Sequence, residues 1–314
     1  MNNFLSIYDL DHNLVQSFIK SAVETKNSKS NDDFNFANGK ILASIFEKPS
    51  TRTRLSFDVA MRKLGGQCII IDQNKLHLGN NKESISDTAK TLSQYVDIVM
   101  YRSQSHESLQ KLASFSTVPI INGLSDFSHP CQAMADLLTI YEKKSGFEGI
   151  KVNWIGPITN VARSWIEIAN LNLGIKLKIF SNDYSINEYH KKCEIYKSKP
   201  DLDNIEVHNN LKKLDSSDVV ITDTWESMGE IVNEKIIRDF SSYTVNQEMM
   251  RIFGDECIFM HCLPANRGQE VTPEVIDGPQ SVVWDEAQNR LHIQKEIICL
   301  LYTSDAADDT PCVD

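Results

Sequence analysis

Short aliphatic runs and longer amphipathic stretches take turns along nearly the whole chain, and this alternation leaves few folds open. Ile41–Phe46, Cys68–Ile71, Ile98–Tyr101 and Pro119–Ile121 are the runs of the first half; Val152–Ile155, Leu177–Phe180, Val219–Thr222, Ile258–Met260 and Val282–Trp284 are those of the second. Strands separated by helices predict parallel sheets, because parallel neighbours need a crossover long enough to hold a helix. Such sheets are covered on both faces, so their strands read as continuous apolar runs rather than alternating ones. With 314 residues, 41% of them hydrophobic, the chain is long enough for about two domains with substantial cores. The expected fold class is α/β, with two doubly wound parallel-sheet domains.

A break in this rhythm sets the boundary. Ala133, Met134, Leu137, Leu138 and Tyr141 share one helical face, and the KKSGFEGIK that follows reads as a hinge into the second sheet. Residues 1–141 plus 286–302 are therefore expected to form the first domain and 142–285 the second. The final helix, about Gln288–Leu301, is expected to return and pack on the first domain. Residues 303–314, TSDAADDTPCVD, lose periodicity and turn small and acidic. They are expected to be a disordered or non-native tail.

A net charge of −11 argues against nucleic acid or an anionic membrane surface as a partner, so any phosphate site must be focal. The longest charge-free stretch, Leu112–Ser125, has 14 residues and contains Ser, Thr, Asn, Pro and Gly, too short and too polar to span a bilayer. Met1–Leu10 lacks a basic region followed by an apolar one, so no signal peptide is expected. The seven cysteines (68, 131, 193, 257, 262, 299 and 312) show no paired or CxxC spacing. Reduced thiols in a cytoplasmic setting are expected, and no metal site is suggested.

The stretch FEKPSTRTRLSFDVAMRKLGG (46–66) concentrates hydrogen-bonding capacity at one helix entrance. Phe57, Ala60, Met61 and Leu64 recur at i, i+3, i+4 and i+7, which predicts a helix from Thr51 closed by Gly65-Gly66. Ser50, Thr51, Arg52 and Thr53 then lie at its first turn, where unsatisfied N–H groups and the positive end of the dipole attract anions. Hydroxyls and a guanidinium make a phosphate cradle. Taken alone, the segment also fits an ordinary serine N-cap with solvated arginines.

With three later segments the stretch resembles the ornithine branch of the transcarbamylases. The segments are FEKPSTRTR (46–54), HPCQAMADLLT (129–139), DTWESMG (223–229) and HCLPANRGQEV (261–271), supported by HLGNNKESISDTA (77–89) and VVWDEAQNRLH (282–292). STRTR and HPxQ belong to transcarbamylases in general, whereas the SMG loop and HCLP look like the ornithine branch. The likeness covers residues 5 to 302. It implies a carbamoyltransferase that joins carbamoyl phosphate to the δ-amino group of L-ornithine, giving citrulline and phosphate, as in arginine biosynthesis. It also implies a homotrimer with active sites near the subunit interfaces, domains that close on ornithine, and no metal or organic cofactor.

Residue roles follow from the same likeness. Ser50, Thr51, Arg52, Thr53 and Arg102 would hold the phosphate, with Thr53, Arg102, His129 and Arg290 reaching the carbonyl oxygen. Gln132, Cys262 and the Leu263 carbonyl would meet the carbamoyl group, Gln132 and Leu263 at its NH2. Asp223 and Ser227 would take the α-ammonium of ornithine, and Asn160 and the Met228 backbone its α-carboxylate. Arg52, Arg102, His129, Cys262 and Arg290 are the expected catalytic set, with Cys262 and Asp223 as candidates for drawing a proton from the amine. Outside that context each residue has a plainer reading: a capping His before Pro, a small core Cys, a turn-capping Asp, a solvated Arg.

Two features depart from the family pattern. WIGPITNVARSW (154–165) stands where an acidic residue, a glycine and two asparagines are common, and only Asn160 remains. Pro157 stiffens a loop that otherwise bends over the amino acid. His77 stands where some relatives place a glutamine that reaches a neighbouring subunit. A transcarbamylase for putrescine or acetylornithine is the rival within this chemistry, opposed by Asp223 and the SMG loop. A non-catalytic amino-acid-binding paralogue is opposed by intact Arg52, His129 and Cys262. A dinucleotide-binding dehydrogenase would show GxGxxG after a strand, and Trp154-Ile155-Gly156-Pro157 supplies one glycine.

Overall fold

The computed structural model describes residues 3–28, 35–72, 83–203, 205–225 and 234–308. The chain divides into two compact units, 1–134 with 290–314 and 135–289. Each is built on a five-stranded, wholly parallel sheet.

In unit 1 the sheet holds β1 (Asn3–Phe4), β2 (Ile41–Phe46), β3 (Gln67–Asp72), β4 (Ile98–Arg102) and β5 (Ile120–Leu124) in the order β1-β5-β4-β2-β3. After β2 the chain steps outward to β3, then returns to β4 and steps the other way. The crevice beyond the carboxyl ends of β2 and β4 is thus the switch point at which open α/β sheets bind ligands. Its helices are α1 (His12–Asn27), α2 (Thr51–Lys63), α3 (Ile85–Leu92) and α4 (His106–Phe115). Leu42, Ala43, Ile45 and Phe46 of β2 are all buried, as expected of a central parallel strand.

α2 shows why the entrance segment folds as it does. Phe57, Ala60 and Met61 are buried along its inner face. At its far end the Gly65 N–H donates to Arg62 O at 3.1 Å and the Gly66 N–H to Met61 O at 3.0 Å, with Gly65 at φ 83°. This pairing ends a helix through a left-handed residue, which glycine adopts without a Cβ clash.

In unit 2 the strands β6 (Lys151–Ile155), β7 (Lys176–Phe180), β8 (Glu206–His208), β9 (Val219–Thr222) and β10 (Ile258–His261) run in the order β10-β9-β6-β7-β8. Here the switch point lies between β6 and β9. The helices are α6 (Asn160–Ala169), α7 (Asp183–Ile195), α8 (Glu234–Phe240), α9 (Gln247–Phe253) and α10 (Pro273–Ile276). Phe180, Phe240, Phe253 and Phe259 belong to one buried core cluster. Two further helices carry the chain from one unit to the other: α5 (Pro130–Lys144), divided between Met134 and Ala135, and α11 (Val283–Asp308), divided between Asn289 and Arg290.

The structure departs from the sequence reading at the end of the chain. Val282–Trp284 is not a strand: Ser281 forms a single parallel bridge with Phe259, and α11 begins at Val283. Val282 and Val283 are buried and Trp284 is exposed, so an apolar run this short could serve either element. Arg290 consequently lies about two turns into α11 rather than in its first turn. The same helix continues to Asp308, so residues 303–308, expected to lie in a disordered tail, are helical, and 309–314 lie outside the described residues. Two short strands, β1 and β8, carried too little apolar pattern to be read.

Candidate active site

Unit 1 brings its basic residues to the switch point. Ser50 caps α2, its Oγ accepting from the Thr53 N–H at 3.3 Å, so Thr51 and Arg52 sit at the first turn with the helix dipole behind them. Arg102 ends β4, opposite Phe46 of β2, where the register against β5 shifts between Tyr101 and Arg102. A shift of this kind re-aims the side chain beyond it. His129 precedes α5 and Gln132 lies in its first turn.

Arg290 ties these elements together from α11. Its Nη1 donates to Gln132 Oε1 at 2.7 Å and its Nη2 to Thr53 Oγ1 at 3.3 Å. Thr53, Arg102, His129, Gln132 and Arg290 are all buried, while Arg52 is half-buried and Thr51 exposed. Burial, with the Arg290, Arg102 and Arg52 guanidiniums close by, holds His129 well below its usual range. The cluster is therefore a neutral imidazole among fixed positive charges, a donor set that an oxyanion would compensate. Arg54, from the same motif, faces elsewhere: its guanidinium lies 4.6 Å from the centre of the Phe46 ring and pairs with Asp72.

Glu47, which motif reasoning passed over, braces this crevice. Its carboxylate accepts from Tyr101 OH at 2.5 Å, Ser103 Oγ at 3.1 Å and the Gln104 N–H at 2.6 Å. The Glu47 N–H in turn donates to Arg102 O at 3.0 Å. Burial, then the charge of Glu47, push the Tyr101 hydroxyl up, so it stays a donor. The end of β2 is thereby fastened to the segment that carries Arg102.

Unit 2 gathers a different chemistry at its own switch point. Asp223 follows β9 and is buried; its Oδ1 accepts from Cys262 Sγ at 3.1 Å and from the Thr224 N–H at 2.8 Å, and its Oδ2 from Thr159 Oγ1 at 2.9 Å. Asn160 opens α6. Cys262 follows β10, and burial, then Asp223, with Glu286 and Asp136 adding negative field, push its thiol well above the usual value. It is a thiol that donates, not a thiolate. Of the two groups considered for drawing a proton from an amine, Cys262 is therefore unsuited, because its own proton is strongly held. Leu263 has φ 56° and a cis bond to Pro264. Ser227, Met228 and His77 lie outside the described residues.

His261, inside the HCLP motif, holds the loop. Its Nδ1 accepts from the Leu263 N–H at 2.8 Å, which places the ring proton on Nε2, 3.2 Å from Glu270 Oε1. Its own N–H donates to Glu286 Oε2 at 2.9 Å. Asp223, His261 and Cys262 bring potential metal-ligand atoms within 4.8 Å of one another. Both ring nitrogens of His261 are engaged in hydrogen bonds, so the imidazole here serves the loop and its neighbours as a hydrogen-bonding group. Sequence reasoning missed Glu47, Thr159, Glu270 and Glu286; all four stood inside quoted segments, but no spacing shows that a side chain turns inward.

Residues 2–142 match the family model for the aspartate/ornithine carbamoyltransferase carbamoyl-P binding domain, and residues 148–301 match that for its Asp/Orn binding domain. The chain belongs to the aspartate/ornithine carbamoyltransferase family. Among family members, the ornithine carbamoyltransferase of Nitrobacter winogradskyi is 43% identical over 312 residues, covering 94% of this chain and 96% of that protein. That of Methanobrevibacter smithii is 43% identical over 306 residues, covering 95% and 98%. The solved ornithine carbamoyltransferase of Pyrococcus furiosus superposes with a TM-score of 0.84 at 40% identity, covering 96% of each chain. Among the described residues, no helix of this family member is long and apolar enough to cross a membrane.

Proposed function

We propose that this protein is an ornithine carbamoyltransferase, moving the carbamoyl group of carbamoyl phosphate to the δ-amino group of L-ornithine and releasing citrulline and phosphate. The observation that carries this reading is the gathering of a buried His129 with Arg52, Arg102 and Arg290 at the switch point of unit 1. In this reading Ser50, Thr51, Arg52, Thr53 and Arg102 hold the phosphate. A guanidinium fork can make two charge-assisted bonds to it. His129, as an uncharged imidazole, donates to the carbonyl oxygen where negative charge develops, helped by Arg290. Gln132 Oε1 accepts from Arg290 and keeps a second lone pair for the carbamoyl NH2.

Unit 2 receives the amino acid. Asp223, with Ser227, takes the α-ammonium, Asn160 with the Met228 backbone takes the α-carboxylate, and Cys262 with the Leu263 carbonyl faces the reacting groups. The uncharged amine forms a carbon–nitrogen bond, the carbon–oxygen bond to phosphate breaks, and the proton lost from the nitrogen is balanced by the departing phosphate, which leaves as hydrogen phosphate. Orienting the two substrates is the larger effect, able to supply about 7–11 kcal/mol in the best cases.

The same reading places the protein as a homotrimer in the cytoplasm, in the biosynthetic direction. Relatives described as anabolic ornithine carbamoyltransferases support that direction, and the cysteines of the described residues, none of them in a disulfide, fit a reducing compartment. The test is a colorimetric product assay with carbamoyl phosphate and, separately, ornithine, putrescine, acetylornithine and aspartate. Turnover confined to ornithine is expected; turnover confined to another amine, or to none, overturns the assignment.

A further inference from the structure

The loop between β6 and α6 is fastened at several points. The Pro157 carbonyl accepts from Trp154 Nε1 at 2.9 Å and from the Thr159 N–H at 2.9 Å, and the Ile158 N–H donates to Ser185 Oγ at 2.7 Å. Thr159 stands at the end of this loop as the N-cap of α6. Its hydroxyl oxygen accepts from the Ala162 N–H at 3.4 Å while its hydroxyl proton goes to Asp223 Oδ2 at 2.9 Å. A β-branched side chain with a pinned backbone has little rotamer freedom, so this bond is a fixed strut.

The strut joins two places with opposite preferences. Asp223 is a carboxylate able to take an ammonium group; the ten-residue helix α6, opening at Asn160, presents first-turn amides and a positive dipole end that favour a carboxylate. An α-amino acid carries those two groups on one carbon, and the gap between their receptors must match that spacing.

We infer that Thr159 is a positioning residue that sets the distance between Asp223 and the start of α6, so that unit 2 selects a substrate with both an α-ammonium and an α-carboxylate. This rests on the reading of unit 2 as the ornithine side. Thr159 touches no reacting atom; it acts through Asp223 and Asn160. A diamine such as putrescine, which lacks the carboxylate, gains nothing from the match.

The experiment compares wild type with Thr159→Ser, Thr159→Gly and Thr159→Val, measuring kcat and KM separately for ornithine and carbamoyl phosphate. Glycine caps a helix nearly as well as threonine, so it removes the donor with little loss at the helix start. Gly and Val are each expected to raise the ornithine KM by about tenfold, the size of one charge-assisted hydrogen bond, with the carbamoyl phosphate KM within about twofold of wild type. Ser is expected to restore the ornithine KM. An ornithine KM unmoved in both Gly and Val variants, or equal losses for the two substrates, overturns the inference while leaving the function standing. A Ser variant as impaired as Val also overturns it. A wild-type chain that makes no citrulline overturns the functional reading and this inference together.

Discussion

The thiol of Cys262 donates to Oδ1 of Asp223 across 3.1 Å, so the two residues first considered as proton acceptors are instead partners in one hydrogen bond. Burial first, then the negative field of Asp223, Glu286 and Asp136, keep the proton on sulfur. Only thiolate reacts with iodoacetamide. Cys262 is half-buried, so slow alkylation at mildly alkaline pH will report protonation and not inaccessibility alone. Asp223→Asn removes the nearest negative charge and should lower the pKa of the thiol, speeding alkylation of this one cysteine. Peptide-resolved mass spectrometry against pH reads it. An unchanged or slower rate in the variant would mean that burial alone sets the thiol.

His129 gives stability a pH dependence with a defined sign. Its unfolded-state value is near 6.5, and in the folded chain burial and the three guanidiniums hold it well below that. Between these values the unfolded chain binds more protons, so stability falls as pH drops from about 6.5 toward the folded value and is lost no further below it. Urea unfolding from about pH 7 to about pH 5 should show a shallower fall for His129→Gln than for wild type. Arg290→Met removes the guanidinium with the largest effect on His129 and should likewise flatten the fall. Equal slopes in all three chains would remove His129 from the account.

How far the sequence could carry such arguments differs between fold and site. β2 and β9 run over Ile41–Phe46 and Val219–Thr222, the residues their apolar runs mark, because a strand buried on both faces has few polar positions. Val282–Trp284 has the same composition but contributes one bridge before turning helical, since a short apolar run does not specify its own period. At the site, the likeness of STRTR and HPxQ to the transcarbamylases, more than their spacing, points to Arg52, Thr53, His129 and Gln132. Glu47 and Thr159 act through partners distant in sequence, Tyr101 and Asp223, and only folding sets those distances. The thiol character of Cys262 likewise depends on carboxylates brought in by other elements, Glu286 from α11 and Asp136 from α5.

Glu47→Gln tests the brace beneath Arg102. The carboxylate accepts from Tyr101, Ser103 and Gln104; an amide of the same shape keeps one acceptor oxygen and turns an NH2 toward the other donors. A loss of about 1–3 kcal/mol is expected in urea unfolding, from donors left facing a donor. Loosening the segment that carries Arg102 should also raise the KM for carbamoyl phosphate more than that for ornithine. Full stability with unchanged KM for carbamoyl phosphate would show that β4 needs no such brace.

Arg52 and Arg54 stand two residues apart in one motif, yet the structure gives them different surroundings. Arg52 lies in the first turn of α2, close enough to His129 to depress its pKa, where a phosphate would complete the charge balance. Arg54 stacks on Phe46 and pairs with Asp72, with side-chain exposures of 31% and 40% for the pair. Losing a donor aimed at developing charge costs about 10²–10³ in rate, so Arg52→Ala should bring citrulline formation down by at least that range. A solvent-accessible pair contributes about 0–1 kcal/mol to stability and nothing direct to the reaction, so Arg54→Ala should keep kcat within a few-fold and cost little in unfolding. Steady-state kinetics of the two variants, side by side, separate the duties. Equal loss of kcat in both would place Arg54 at the substrate and dismantle the division drawn here.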